Sequence, residues 1–286
     1  MGRVTTRQKV VRLSGGEQNT RIETLVVEEP LEIRVGGESL MVTMRTPGDD
    51  FDLAAGFLVS EGVVTEPGQV ETMRFCAGTD ESGANTYNLL DLQLAPGVEP
   101  PKRGAKRQFT TTSACGVCGK ESLEDVRTKA AWPVADDELR IEPGTLADLP
   151  NRLRRKQKVF DKTGGLHAAG LFTAAGELLA SREDVGRHNA VDKLIGWALR
   201  EDRLPLRETI LMVSGRASFE LVQKAVMAGI PAMAAVSAPS SLAVDLAAES
   251  GLTLVGFLRA DSANVYTRPE RIVTLTDARP AAVSAE

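Results

Sequence analysis

Two cysteines separated by a glycine and a valine, in Cys115-Gly116-Val117-Cys118-Gly119, are the residues of this chain best suited to covalent chemistry. One other thiol, Cys76, occurs in 286 residues. Gly116 and Gly119 leave the backbone free to form a tight loop and remove side-chain cover from both sulfurs. Thiols at this spacing can share a reacting atom, which suits redox exchange, metal binding or carriage of sulfur as a persulfide. Lys120 and the basic run 102–107 favour the thiolate, which is the reactive form.

The alternatives differ in what else they require. Structural zinc takes four ligands, usually from two paired motifs. Only Cys76, His167 and His188 remain, and none sits in a second pair. A deaminase-type zinc site needs His-x-Glu upstream and a proline before the first cysteine. Here Ala114 precedes Cys115 and both histidines follow it. A thioredoxin-like pair opens a helix beside a βαβ unit, whereas the βαβ pattern of this chain begins far downstream. The bland alternative is an inert pair, since free cysteines are mostly buried and unreactive. Glycine-flanked cysteines in a polar segment are poorly placed for a core. Sulfur carriage by one exposed thiolate, with the second assisting, is the reading these residues favour.

The elements that must position this pair follow from hydrophobic patterning. Residues 21–50 alternate as two strands joined through Gly36-Gly37, a hairpin. Thr46-Pro47-Gly48-Asp49 then introduces an apolar helix over 51–60. Further strands are expected at 70–75 and 85–94. The segment 131–149, rich in proline and acidic residues, reads as a linker or domain edge, and 152–160 as a basic helix with a solvated face. After a strand at 169–172 and an amphipathic helix at 186–200, continuous apolar strands at 209–213, 232–236 and 253–257 alternate with helices at 218–228 and 241–250. That alternation indicates parallel βαβ units buried on both faces.

The length favours two domains. The expected division is a flexible N-terminus at 1–20, a β-rich subdomain at 21–145 carrying the Cys loop, an α/β domain at 146–277 and a disordered tail at 278–286. A formal net charge of −5 argues against sequence-independent nucleic-acid binding. No apolar stretch is long enough to cross a bilayer, residues 1–12 lack a hydrophobic signal core, and an odd cysteine count does not make a secreted disulfide framework. The expectation is a cytoplasmic protein with reduced thiols and no membrane or nucleic-acid partner.

Two further constellations could hold a ligand. Ser214-Gly215-Arg216 joins a strand to a helix beginning at Ser218, where free N–H groups and a guanidinium attract anions. A similar turn, Ser237-Ala238-Pro239-Ser240-Ser241, follows the next strand, and ligands in open α/β sheets gather beyond the carboxyl ends of strands. Polar groups also concentrate at a helix start in Asp184-Val185-Gly186-Arg187-His188-Asn189, for which simple capping by Asp184 is the plainer reading. His167, after two glycines, reads by default as a structural histidine.

Taken in order, these motifs resemble one family, the formate dehydrogenase accessory sulfurtransferases (FdhD). The likeness runs from about Pro30 to Arg271. It includes Met44-Arg45-Thr46-Pro47-Gly48, Ala55-Gly56-Phe57-Leu58, Phe75-Cys76, the Cys115–Cys118 motif and Gly164-Gly165-Leu166-His167. Asp184 through Lys193, Ser214-Gly215-Arg216, Ser237 through Ala243 and Gly256 through Thr267 complete it. The resemblance implies a homodimeric protein that accepts sulfur from a cysteine desulfurase and delivers it to the molybdenum (or tungsten) bis-guanine-dinucleotide cofactor of formate dehydrogenase. It implies that Cys115 holds the persulfide, with Cys118 as second thiol, and that Phe257-Leu258-Arg259-Ala260-Asp261-Ser262 binds the cofactor. It also implies a three-layer, cytidine-deaminase-like α/β domain without the zinc ligands. On that reading Arg216 and Arg259 neutralise phosphate beside Ser214 and Gly215, and His188 and Asn189 hydrogen-bond a nucleotide edge. The rival is a chaperone that binds the molybdenum cofactor without moving sulfur.

Overall fold

The computed structural model describes residues 3–76, 78, 87–100 and 130–273. Its N-terminal part contains β1 (Thr5–Ser14), β2 (Glu17–Val26), β3 (Glu29–Val35), β4 (Glu38–Arg45), α1 (Asp50–Ser60), β5 (Val70–Phe75) and β6 (Leu89–Leu94). The rest comprises α2 (Pro143–Arg154), α3 (Lys158–Thr163), β7 (His167–Thr173), β8 (Leu178–Asp184), α4 (Arg187–Arg200), β9 (Thr209–Val213), α5 (Phe219–Met227), β10 (Ala232–Ala235), α6 (Ser241–Ser250), β11 (Thr253–Gly256) and β12 (Asn264–Thr267).

Three sheets form among the described residues. β1 and β2 form a separate antiparallel ribbon, β4-β3-β6-β5 a four-stranded sheet, and β12-β11-β10-β9-β7-β8 a six-stranded mixed sheet. The parallel core of the last is β9, β10 and β11, as the apolar runs predict. Strands β7, β8 and β12 add antiparallel edges. The period of two along a strand sorts its side chains into two cores. Ala169, Leu171, Leu211, Val213, Met233, Ala235 and Leu254 face α1, α4, α5 and α6. Ala168, Phe172, Ile210, Met212, Ala232, Ala234 and Val255 face Leu146, Leu149 and Leu153 of α2. Helix, sheet and helix thus make three layers.

The first of these cores also takes in Leu31, Ile33, Leu90 and Leu92 of the four-stranded sheet. One continuous apolar cluster therefore spans the boundary expected near residue 145. The junction is the crossing of α1 on α4. A Cβ placed on Gly56 would lie 2.6 Å from the carbonyl carbon of Asp192 and 2.8 Å from Gly196 N. Two backbones approach this closely only where neither residue carries a side chain.

Three expectations differ from the structure. Residues 5–14, placed in a flexible lead, pair with 17–26 around Gly15 and Gly16. Residues 131–149 do not form a linker. Leu139, Ile141, Leu146 and Leu149 are buried, and Ile141 bridges to Ile272, because widely spaced apolar residues all turn to one sheet face. The basic stretch 152–160 breaks between α2 and α3. The tail at 278–286 lies outside the described residues, and no helix among those described is long and apolar enough to cross a membrane.

Candidate functional site

β9 and β10 run parallel and end together, so turns 214–218 and 237–241 lie side by side at one sheet edge. Ala217 N donates to Ala238 O over 3.2 Å and Ser240 N to Ala217 O over 3.0 Å. Ser240 Oγ accepts from Ala243 N over 3.3 Å and caps α6. The turn at 257–262 joins them through Phe257 N to Ser237 O (3.2 Å) and Leu258 N to Ala235 O (3.1 Å). Arg259 Nη1 donates to the carbonyls of Val236 and Leu258. Leu258 is buried, whereas Phe257 is 43% exposed with φ of 51°. A bulky residue in the left-handed region costs roughly 1–3 kcal/mol, a strain that concentrates at ligand sites. Ala260, Asp261 and Ser262 are exposed on the same turn.

Turn 214–218 also meets β7 and α4. Ser214 exchanges two bonds with Ala168, its Oγ accepting at 2.9 Å and its N donating at 3.0 Å. Gly215 lies against the His167 ring, Arg216 is exposed, and His188 Nε2 stands 3.3 Å from Ser218 Oγ. The same nitrogen faces Glu220 Oε2 at 3.8 Å. Glu220 Oε2 and Arg187 Nε are both buried without a hydrogen-bond partner. His188 is the main reason the Glu220 carboxyl is held down at about 2, against opposing burial. His167 is pulled below its ordinary value by burial first, then by the charges of Arg187 and His188, a direction that favours the neutral ring.

Depression of the Glu220 carboxyl has a measurable consequence. Its contribution is present above the ordinary glutamate range and is lost as pH falls from about 4.5 towards 2, because the unfolded chain takes up the proton first. Glu220→Gln should therefore reduce the acid dependence of unfolding across that window, by about 1–2 kcal/mol once solvent screening of this half-buried group is allowed for. Urea titrations at stepped pH would show parallel wild-type and variant curves if the pairing is absent.

Beside these turns, between α2, α3 and the carboxyl ends of β9 and β10, lies a cavity of about 620 Å³. Arg154, Phe160, Gly165, His167, Ser214 and Val236 are among its lining. The Arg154 guanidinium stacks 4.7 Å over the Phe160 ring and pairs with Asp161 at 2.5 Å. The 152–158 run is thus not merely a solvated face, since one of its arginines forms a cavity wall. Arg154 and Phe160 were not legible as site residues, because nothing in their local pattern separates them from surface positions. His167, read as structural, lines the cavity.

Asn189 does not reach this site. It is buried, with Nδ2 donating to Met44 O (2.8 Å) and Asp184 Oδ1 (3.0 Å). Asp184 also accepts from Thr46 N (3.1 Å) and Gly186 N (2.8 Å) and pairs with Lys193 Nζ at 2.7 Å. Lys193 in turn donates to Thr46 O over 2.9 Å. The motifs around Thr46 and Asp184 thereby form one buried polar lock beneath the first turn of α4, which presents Arg187 and His188. The Asn189 amide nitrogen, expected at a nucleotide edge, is here engaged internally. Cys115, Cys118, Lys120 and the 102–107 run lie outside the described residues. Cys76 is half-buried at the end of β5.

Comparison with known proteins accounts for nearly the whole chain. The chain is 63% identical over 273 residues to "Sulfur carrier protein FdhD" of Streptomyces coelicolor, covering 95% of this chain and 97% of that protein. The protein of the same name from Mycolicibacterium paratuberculosis is 62% identical, with 94% and 99% covered. A crystal structure of a putative formate dehydrogenase accessory protein from Desulfotalea psychrophila superposes with a TM-score of 0.72 at 25% identity, over 95% of this chain and 100% of that one. The FdhD/NarQ family model matches residues 26–273, from the close of the ribbon through both sheets and all three turns, and the chain belongs to that family.

Proposed function

We propose that this chain is a sulfur carrier for formate dehydrogenase maturation, with the transferred sulfur held on Cys115. The Cys115 thiolate attacks the terminal sulfur of a persulfide on a cysteine desulfurase. The sulfur–sulfur bond there breaks, the desulfurase cysteine leaves as its thiolate, and the sulfur remains on Cys115 as a new persulfide. Cys118 is the second thiol beside it. The acceptor is the molybdenum bis-guanine-dinucleotide cofactor, bound as substrate, and the chain is in this sense a sulfurtransferase. The same reading makes it a cytoplasmic homodimer with a deaminase-like α/β domain.

The observation that carries this reading is whole-length likeness to proteins named as sulfur carriers, in a chain with the Cys-Gly-Val-Cys pair. The cavity suits a phosphate-bearing heterocycle. Arg154 in its wall and Arg216 and Arg259 on the turns bring positive charge. Phe160 offers a flat apolar face in the cavity wall, and the His167 ring offers polar nitrogens beside it.

Mass spectrometry after incubation with a desulfurase and cysteine is the direct test. The expected product carries one added sulfur atom on Cys115, and Cys115→Ala abolishes loading. Retained cofactor binding with no sulfur on wild-type Cys115 would favour a chaperone that moves no sulfur. A reversible Cys115–Cys118 disulfide with reductase activity would favour a redox dithiol.

A further inference from the structure

The break between α2 and α3 turns Gln157 inward. Arg155, Lys156 and Lys158 around it are exposed, whereas Gln157 is 5% exposed and lines the cavity of about 620 Å³. Its main chain is satisfied, with N donating to Arg154 O over 3.2 Å and O accepting from Asp161 N over 3.0 Å. Its carboxamide hydrogen-bonds nothing among the described residues. A polar side chain at the start of a helix often caps it, but Gln157 makes no such bond to α3. That task falls to Glu183, whose carboxylate oxygens accept from Val159 N (3.1 Å) and Phe160 N (2.9 Å). A buried carboxamide without partners costs free energy, so one left in this state beside a cavity points to a ligand.

The rest of the wall decides which part of a ligand enters. Leu153, Leu166, Met212 and Val236 supply apolar surface, and Phe160 a ring. The Arg154 guanidinium beside that ring is engaged by Asp161, which offsets its charge. The His167 ring also lines the space and makes no hydrogen bond among the described residues. Arg216, by contrast, is exposed on the turn that begins at Ser214, itself a lining residue. An apolar space with a free carboxamide suits a planar heterocycle, whereas phosphate suits the exposed guanidinium outside it. The volume lies within the roughly 300–1,000 Å³ of ordinary small-molecule sites. A carboxamide presents an N–H donor beside a C=O acceptor, the complement of a lactam edge, where a ring N–H adjoins a ring C=O.

We infer that Gln157 is a specificity-determining residue for the cavity ligand, pairing with the lactam edge of its heterocycle inside the cavity while the phosphates lie outside at Arg216. This rests on the cofactor-binding part of the reading above, and loading of wild-type Cys115 tests sulfur carriage apart from it. The probes are GDP, inosine diphosphate and inorganic pyrophosphate, each titrated calorimetrically into the whole chain. Gln157→Leu should weaken GDP binding about tenfold and leave pyrophosphate binding as in wild type. Arg216→Ala should weaken both. Gln157→Glu gives a readout that a merely structural role would not move. Its two acceptor oxygens meet both adjacent N–H donors of guanine but find one on hypoxanthine. The preference for GDP over inosine diphosphate should therefore rise at least about tenfold relative to wild type. Without ligand, Gln157→Leu should melt at the wild-type temperature or above it, since it removes a buried polar group that has no partner. Equal GDP affinity in wild type and Gln157→Leu, an unmoved preference in Gln157→Glu, or a marked fall in melting temperature would each overturn the inference and leave sulfur carriage standing. Wild type that binds no GDP would overturn it together with the cofactor-binding reading, and a Cys115 that takes up no sulfur would count against sulfur carriage alone.

Discussion

Gly56→Ala is expected to destabilise the protein by about 3 kcal/mol or more, at or beyond the upper end of ordinary overpacking. In an exposed helix the same change would stabilise by up to about 1 kcal/mol. Here the added methyl overlaps the Asp192 carbonyl carbon at 2.6 Å and Gly196 N at 2.8 Å. Backbone atoms inside a hydrogen-bonded helix have no rotamer in which to escape, so α1 and α4 must separate. Separation loosens a close-packed apolar cluster that also includes Leu53, Val191 and Ile195. It would also displace the first turn of α4, which carries Arg187 and His188. Gly196→Ala should behave alike, since its methyl would meet the Asp52 carbonyl carbon at 2.6 Å. Gly144→Ala, in open space near the start of α2, is the control and should be neutral or mildly stabilising. Urea midpoints of the three variants decide the matter, and a neutral Gly56→Ala would mean that the helices do not cross at this point.

The second large effect is expected at Lys193. Its ammonium is almost wholly buried, 2.7 Å from a fully buried Asp184. Lys193→Met would leave that carboxylate in the interior without its counter-charge, which typically costs about 3–5 kcal/mol. The remaining donors, Thr46 N, Gly186 N and Asn189 Nδ2, hydrogen-bond the carboxylate but do not neutralise it. Combining Lys193→Met with Asp184→Asn should recover part of the loss, because no uncompensated charge then remains buried. Chemical denaturation of the two single variants and the double one forms the required cycle. Additive single effects would show that the pair is not coupled.

Several of these features were readable in advance, and the reason is local. The Gly36-Gly37 turn, the helix ending at Ser60 and the apolar runs of β9, β10 and β11 each carry their signal within a few residues. β8 gave no such signal. All but one of its residues are half-buried, so Leu178–Asp184 shows neither an apolar run nor clean alternation. β12 is a four-residue edge strand with three exposed residues, and its pairing depends on β11 being present. The motif from Asp184 to Lys193 was legible as unusual, but its use was not. Polar residues at a helix start look the same whether they meet a ligand or, as Asn189 does, the carbonyl of a residue far away in the chain.

Chemistry and periodicity belong to the sequence alone. A paired thiol motif, alternating strands and the apolar runs of the parallel strands all follow from residue type and spacing. Tertiary structure decided which distant residues meet: Gly56 with Gly196, Lys193 with Asp184 and Thr46, Glu220 with His188, and Arg154 with the cavity wall. Such pairings depend on how helices and sheets dock, and docking is set by the summed packing of whole faces rather than by any short window of sequence.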